Sequence, residues 1–266
     1  MALPVRLRAA AVSDVGRFRT VNQDAAFTAS WGAAVADGVG GGPSGDLASA
    51  ALIHRLVAGR VSVPDAEALA VRIREANWDL RALTERDQSL RGMATTFTGI
   101  FVAQAGHLLL AHTGDSRAYL LRERALTRET RDDSFVQALV DSGVIAAEAA
   151  ASHPRRNIIT ASLAGAEDDA AYVVDRDPRI GDRWLLCSDG ITDYVPEEDI
   201  ARVLADAPTP DAASVALVAL ALEAGTRDNA TAVVCDVEDA PGILVGHQPV
   251  FHGAAAARFC EELDSA

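Results

Sequence analysis

Short β-prone runs joined through glycine fill the middle of this chain and leave few architectures open to it. Residues 100–103 lead through Gly106 to 108–111, and 110–113 lead through Gly114-Asp115-Ser116 to 118–121. Both read as hairpins, because so short a link joins only antiparallel neighbours; a parallel crossover needs a dozen residues or more. Further β-prone runs cover residues 7–12, 33–36, 95–102, 107–112, 118–121, 171–174, 183–187 and 231–237. The sheets are therefore expected to be antiparallel.

Helical periodicity separates these runs. Leu69, Ile73, Ala76, Leu80 and Leu83 repeat at helical spacing, with Arg72, Arg74, Glu75, Asp79 and Arg81 on other faces. This predicts an amphipathic helix starting near Asp65, just after Pro64. A second helix is predicted over 44–57, ending at Gly59, and a third over 212–224, ending at Gly225. The third is apolar nearly all round and is expected to be well buried. Strands, two helices, more strands and more helices suit an α+β fold: a four-layer α/β/β/α sandwich, two antiparallel sheets flanked by helices. Residues 1–240 would make this domain. Residues 241–266, with Pro241, Gly246, Pro249 and Gly253, form a tail with no assigned role.

Composition narrows the function. With 266 residues, 49% hydrophobic and 23% charged, the chain can bury one core without disulfides. Cys187, Cys235 and Cys260 are far apart and lack zinc-ligand spacing; the first two lie in apolar runs and read as buried, reduced thiols. The net charge of −14, with no Lys/Arg run, argues against nucleic acid. No apolar run approaches the roughly 20 residues that span a bilayer, and no leader pattern opens the chain. A cytoplasmic monomer, free of membrane, is the expectation. An acidic protein can still handle phosphate where a metal or a placed arginine gathers it.

The aspartates carry the chemistry. Asp37 ends an apolar run and precedes Gly38, Asp115 follows Gly114, Asp189 precedes Gly190, and Asp228 precedes Asn229 and the apolar run after it. Any one of these could be turn chemistry alone. Four at strand ends, if the ends converge, crowd several carboxylates into one volume, where they repel unless a cation intervenes. Oxygen ligands without His or Cys favour Mg2+ or Mn2+ over zinc.

In chain order stand Ser13-Asp14-Val15-Gly16 with Arg19 and Asn22-Gln23-Asp24, then Ala36-Asp37-Gly38-Val39-Gly40-Gly41, then Gly92-Met93-Ala94-Thr95-Thr96. Gly114-Asp115-Ser116-Arg117, Ser188-Asp189-Gly190 with Asp193, and Asp228-Asn229-Ala230-Thr231 follow. This series, from Ser13 to about Val237, resembles the bacterial metal-dependent type 2C (PPM) serine/threonine protein phosphatases. The resemblance implies a dinuclear Mn2+ or Mg2+ site at one end of the sandwich. Asp37 would bridge both ions, with the Gly38 carbonyl on one and Asp189 and Asp228 on the other. Asp115 and Asp193, with Asp189, would hold a third, weaker ion. Arg19 would grip the substrate phosphate, and residues 132–164 would form a mobile flap containing Ser152-His153-Pro154. Phosphoproteins would be the substrates and a Ser/Thr kinase the opposing partner.

The chain departs from the family pattern at three places. Gln23 stands where some members carry a glutamate that reaches a metal through water. Val39 replaces a histidine thought to protonate the leaving group. Thr160-Ala161-Ser162-Leu163 lacks an arginine that relatives often have. Other residues read more simply: His112, His153 and Arg117 as structural, and residues 38–42 as no nucleotide loop, since the P-loop ending is missing. Cys187 lacks the phosphate loop of a cysteine phosphatase. A phosphoprotein-binding pseudophosphatase and a phosphatase of small phosphoesters are the alternatives.

Overall fold

A computed structural model describes residues 5–39, 44–59, 63–104, 106–240 and 248–258. The chain opens with β1 (Val5–Asp14), β2 (Asp24–Ala29) and β3 (Gly32–Val39), then α1 (Gly45–Val57) and α2 (Ala66–Arg86). Next come β4 (Ala94–Thr95), β5 (Phe97–Val102), β6 (Leu108–Thr113), β7 (Arg117–Arg122) and β8 (Ala125–Arg128). A segment with the short helices α3 (Phe135–Asp141) and α4 (Ala147–Ala150) leads to β9 (Tyr172–Arg176) and β10 (Arg183–Cys187). The chain continues through α5 (Asp189–Thr192), α6 (Glu197–Asp206), α7 (Pro210–Glu223) and β11 (Ala230–Asp239) to β12 (Val250–Gly253) and α8 (Ala254–Ala257).

All strand pairings are antiparallel. One sheet runs β1-β11-β10-β7-β8; the other runs β12-β2-β3-β5-β6-β9, with β4 also on β3. Alternation along the strands divides the core into three seams. Ala26, Val35, Ile100 and Leu110 of one sheet meet Leu7, Leu120, Trp184, Leu186 and Val233 of the other. Their neighbours Ala25, Phe27, Ala34 and Ala36 turn outward onto Leu52, Ile53, Leu69 and Ile73 of α1 and α2. Tyr119, Leu185 and Val234 turn onto Ile200, Leu204, Leu217 and Val218 of α6 and α7. Each fully buried Leu, Ile or Val contributes roughly 1.5–3 kcal/mol, so both outer helical layers are held by burial. This is the four-layer α/β/β/α sandwich that the sequence suggests.

Four local expectations need correction. First, β6 and β7 do not form a hairpin. β6 pairs with β5 and β9 while β7 pairs with β10 and β8, so Gly114-Asp115-Ser116 carries the chain from one sheet to the other. Gly114, at φ +104, makes that turn, and Asp115 is left between the sheet ends. Second, the run 95–102 breaks at Thr96, whose side chain turns to Asp37 and Ser116. Third, α7 is covered along one stripe, including Ala213, Leu217 and Ala221, while Val215 stays 51% exposed. It also starts two residues early, because Thr209 caps it by accepting from the Ala212 N–H at 3.1 Å. Fourth, part of the unassigned tail is structured: β12 pairs with β2 at the edge of its sheet.

Candidate metal centre

The predicted acids lie at one end of the sandwich, all but Asp193 where a strand ends or begins. Asp37 and Gly38 close β3, Asp115 occupies the sheet-to-sheet turn, and Asp189 opens α5 directly after β10. Asp193 follows α5, its N–H donating to the Asp189 carbonyl at 2.8 Å. Asp228 precedes β11, and Asn229 beside it ties that end to the β1–β2 loop. Asn229 Nδ2 donates to the Val15 and Val21 carbonyls at 2.9 and 3.1 Å, and its Oδ1 accepts from the Gln23 N–H at 2.8 Å. The loop so fixed carries Arg19, which donates to Asp228 Oδ2 at 2.7 Å.

Asp24 heads β2, directly opposite Asp37 in the hairpin register. It is 1% exposed and accepts from Ser188 Oγ and Thr231 Oγ1, each at 2.7 Å. Ser13 Oγ lies 2.7 Å from Thr231 Oγ1 and accepts from Asn22 at 2.8 Å. Asp24 belongs to one sheet, and Ser13, Ser188 and Thr231 to or beside the other, so this network locks the two sheet ends together. The sequence reading quoted Asp24 and Asn229 without giving either a role. The available signal was positional: a β2–β3 turn centred on Ser30 and Trp31 sets Asp24 against Asp37.

The electrostatics follow from the crowding. Burial pushes Asp37 well above the ordinary carboxylate range, and Asp24, Asp189, Asp115 and Asp228 push it further. Asp189 rises for the same reasons, burial first and then Asp115, Asp193, Asp228 and Asp24. Asp115 and Asp24 are also raised, chiefly by burial. Asp193, at the rim, is raised by burial against the opposing pull of Arg156, whose Nε lies 3.5 Å from its Oδ2. The acids line a recess open to solvent: Asp37, Asp115, Asp189 and Asp228 keep some accessible surface, while the protein packed around them disfavours their charge.

A divalent cation fits this donor set. Among the described residues, Asp24 Oδ1 and Asp189 Oδ1 are buried oxygens without a hydrogen-bond partner, and the acids gathered there are oxygen donors of the kind Mn2+ and Mg2+ prefer. The described residues hold no group of three such side chains already closed to ligand spacing; Asp228 is drawn to Arg19. The Gly38 carbonyl is backed by α1: a Cβ on Gly45 would lie 2.9 Å from it, and one on Gly38 would lie 2.3 Å from the Gly45 carbonyl oxygen. Gly40 and Gly41 lie outside the described residues.

Residues 132–164, the expected flap, are tied to the sheets at both ends. Asp133 Oδ2 accepts from the Gly114 N–H at 3.0 Å, its N–H donates to the Gly114 carbonyl at 2.7 Å, and Leu163 pairs with Thr95. His112 is fully buried, with Nε2 donating to the Arg131 carbonyl at 3.1 Å and Nδ1 2.8 Å from Thr98 Oγ1. Arg117 grips Asp132 through Nε and a terminal nitrogen. His153 accepts from the Arg155 N–H at 3.1 Å. Burial lifts the Cys187 thiol to about 12, far from the thiolate that a nucleophile needs.

With acids gathered at one end of a β-sandwich and an arginine over them, the chain matches the family model for protein phosphatase 2C over residues 17–216. The chain belongs to the protein phosphatase 2C family. It is 43% identical over 238 residues to the serine/threonine protein phosphatase PstP of Mycobacterium tuberculosis, covering 88% of this chain and 45% of that protein. The chain thus spans under half the length of that relative. The serine/threonine phosphatase stp of Listeria monocytogenes is 33% identical over 211 residues, 76% of this chain and 82% of that one. Among solved structures, the PstP catalytic domain in complex with two manganese ions superposes with a TM-score of 0.81 at 40% identity, covering 88% of this chain and all of that one. Stp1 of Staphylococcus aureus gives 0.81 at 31%, covering 90% and 98%.

Proposed function

We propose that this chain is a Mn2+- or Mg2+-dependent phosphatase that hydrolyses phosphoserine and phosphothreonine in proteins, opposing a Ser/Thr kinase in the cytoplasm. The observation that carries the reading is the crowding of acids at one end of the sandwich, where Asp37 and Asp189 are raised first by burial and then by the acids around them. Such a cluster is costly for a fold unless a cation uses it. The phosphatase names of the relatives support the same reading.

Asp37 and the Gly38 carbonyl, with Asp189 and Asp228, would hold two ions; Asp115 and Asp193, with Asp189, would hold a third. When bound, the ions supply a water acidified toward neutrality and offset the charge that grows on the phosphoryl oxygens. Arg19 orients the ester. A guanidinium has five N–H donors, and the bond to Asp228 leaves others free for two parallel bonds to nonbridging phosphate oxygens. Asp228 therefore couples the phosphate grip to the metal set. The network of Asp24, Ser188 and Thr231 keeps the two sheet ends at fixed spacing.

Turnover of a phosphothreonine peptide with and without Mn2+ tests the reading. Hydrolysis that requires Mn2+, stops in chelator and falls by at least a hundredfold in Asp37→Asn is expected, about 2.7 kcal/mol of barrier. Peptide binding without turnover would establish the pseudophosphatase instead, and faster turnover of small phosphoesters than of any phosphopeptide would move the substrate class.

A further inference from the structure

The C-terminal hook formed by β12 and α8 reaches the metal-bearing end from behind. β12 lies along β2, with Gly253 opposite Ala25, one residue from Asp24. Gly253 adopts φ +60, and a Cβ there would stand 2.3 Å from the Asp24 carbonyl oxygen. The hook then crosses onto α1. Phe251 stacks on His54 with ring centroids 4.1 Å apart, and His54 Nε2 donates to the Ala255 carbonyl at 2.7 Å. Arg258 closes it, its Nε donating to Asp46 Oδ2 at 2.7 Å and a terminal nitrogen contacting the same oxygen.

Asp46 sits in the first turn of α1, beside Gly45. A Cβ on Gly45 would meet the Gly38 carbonyl oxygen at 2.9 Å and the Gln23 side-chain nitrogen at 2.8 Å. In the next turn-third of the same helix, Ser49 Oγ donates to the Gln23 carbonyl at 2.6 Å, which also accepts from the Gly38 N–H at 3.1 Å. The first turn of α1 is thus the surface against which Gly38 rests, and Arg258 is the side chain that pins that turn. Asp46 is 7% exposed, and its other oxygen, Oδ1, has no hydrogen-bond partner among the described residues, where the Arg258 bond offsets the burial of this carboxylate.

We propose that Arg258 and Asp46 are positioning residues for the metal centre: the hook clamps the α1 turn against Gly38 while Gly253 sets the height of Asp24, and the clamp tunes cation affinity. The inference rests on the proposed metal-dependent function. It makes 250–258 a working part of the site.

Mn2+ binding to the full chain, followed by the loss of the free-ion EPR signal, is the test, with thermal melting in chelator alongside. Arg258→Ala and Asp46→Asn are each expected to weaken Mn2+ binding about tenfold, the lower end of what supporting partners of metal ligands contribute. The double variant should lose no more than either single one, and Arg258→Lys should recover most of the affinity. Arg6→Ala, which breaks a pair with Glu238 on the other sheet, serves as the control and should bind Mn2+ as wild type does. Unchanged Mn2+ affinity in both single variants, even with lowered melting temperatures, overturns the clamp. Should Arg258→Ala fail to fold, Asp46→Asn, which keeps the side chain's shape, decides. A wild-type chain that takes up no Mn2+ at all removes the metal-centre reading and the clamp with it.

Discussion

Asp37 shows most directly what single residues do here. Its carboxylate is raised by burial and by four other acids, so its ionised form works against folding at neutral pH. Asp37→Asn keeps the shape and removes the charge. In chelator at pH 8 the variant is expected to melt above wild type, by about 2–4 °C for each kcal/mol relieved, while losing the stabilisation that Mn2+ gives wild type. Melting below wild type in chelator would contradict this account of the charge. His112 behaves in the opposite sense with pH. Burial lowers its pKa from 6.5, so the neutral ring is the folded form. The stability this provides is present above pH 6.5 and is lost as pH falls through the lowered folded value. Comparing melting at pH 7.5 and 5 in wild type and His112→Gln should show a shallower acid loss in the variant. At this scale the acids were legible because glycine and apolar runs flank them. Asp24 and Asn229 were not given roles, because theirs come from strand register and from carbonyls far off in the chain.

Elements were legible where one period dominated. α2 follows its stripe of Leu69, Ile73, Ala76 and Leu80, and Asp65 caps it through the Ala68 N–H at 2.9 Å. β2 was missed, since its Asp-Ala-Ala-Phe-Thr-Ala sequence carries little β propensity; it is a strand because both of its faces are buried between layers. The β6–β7 link was misread because a glycine turn looks the same whether its strands share a sheet or change sheets. The α2–flap junction allows a prediction. Asn77, fully buried, donates to the Ala166 carbonyl at 2.9 Å and accepts from the Gly165 N–H at 2.8 Å. Asn77→Ala leaves two backbone groups unpaired and should cost about 1–3 kcal/mol. Hydrogen exchange should quicken at residues 163–166 ahead of the sheets; uniform change across the molecule would mean that Asn77 supports the whole fold instead of this junction.

For the whole molecule, the layer order could be anticipated from the succession of strands and helices, but which strand joins which sheet was not readable from local pattern, because pairing between residues far apart leaves no local trace. The net charge of −14 also acts at this scale. Self-repulsion on a compact acidic body weakens as salt shortens the screening length, about 10 Å at 0.1 M and 30 Å at 0.01 M. The chelated protein should therefore melt higher in about 0.3 M than in about 0.01 M sodium chloride, and a flat response would show the charges to be already balanced locally. Among the described residues no helix is long and apolar enough to cross a membrane.

The pairing of β1 with β11 sets Val5 opposite Asp239 and Asp14 opposite Ala230. Of the described strands, the first to be synthesised is thus among the last to find its neighbour. At about 5–20 residues per second, its partner is roughly 10–45 s behind it. Through that interval the apolar side of the nascent strand, Val5 and Leu7 included, waits without cover. Successful synthesis of this domain depends on whatever shields that segment until the chain comes round to close the sheet.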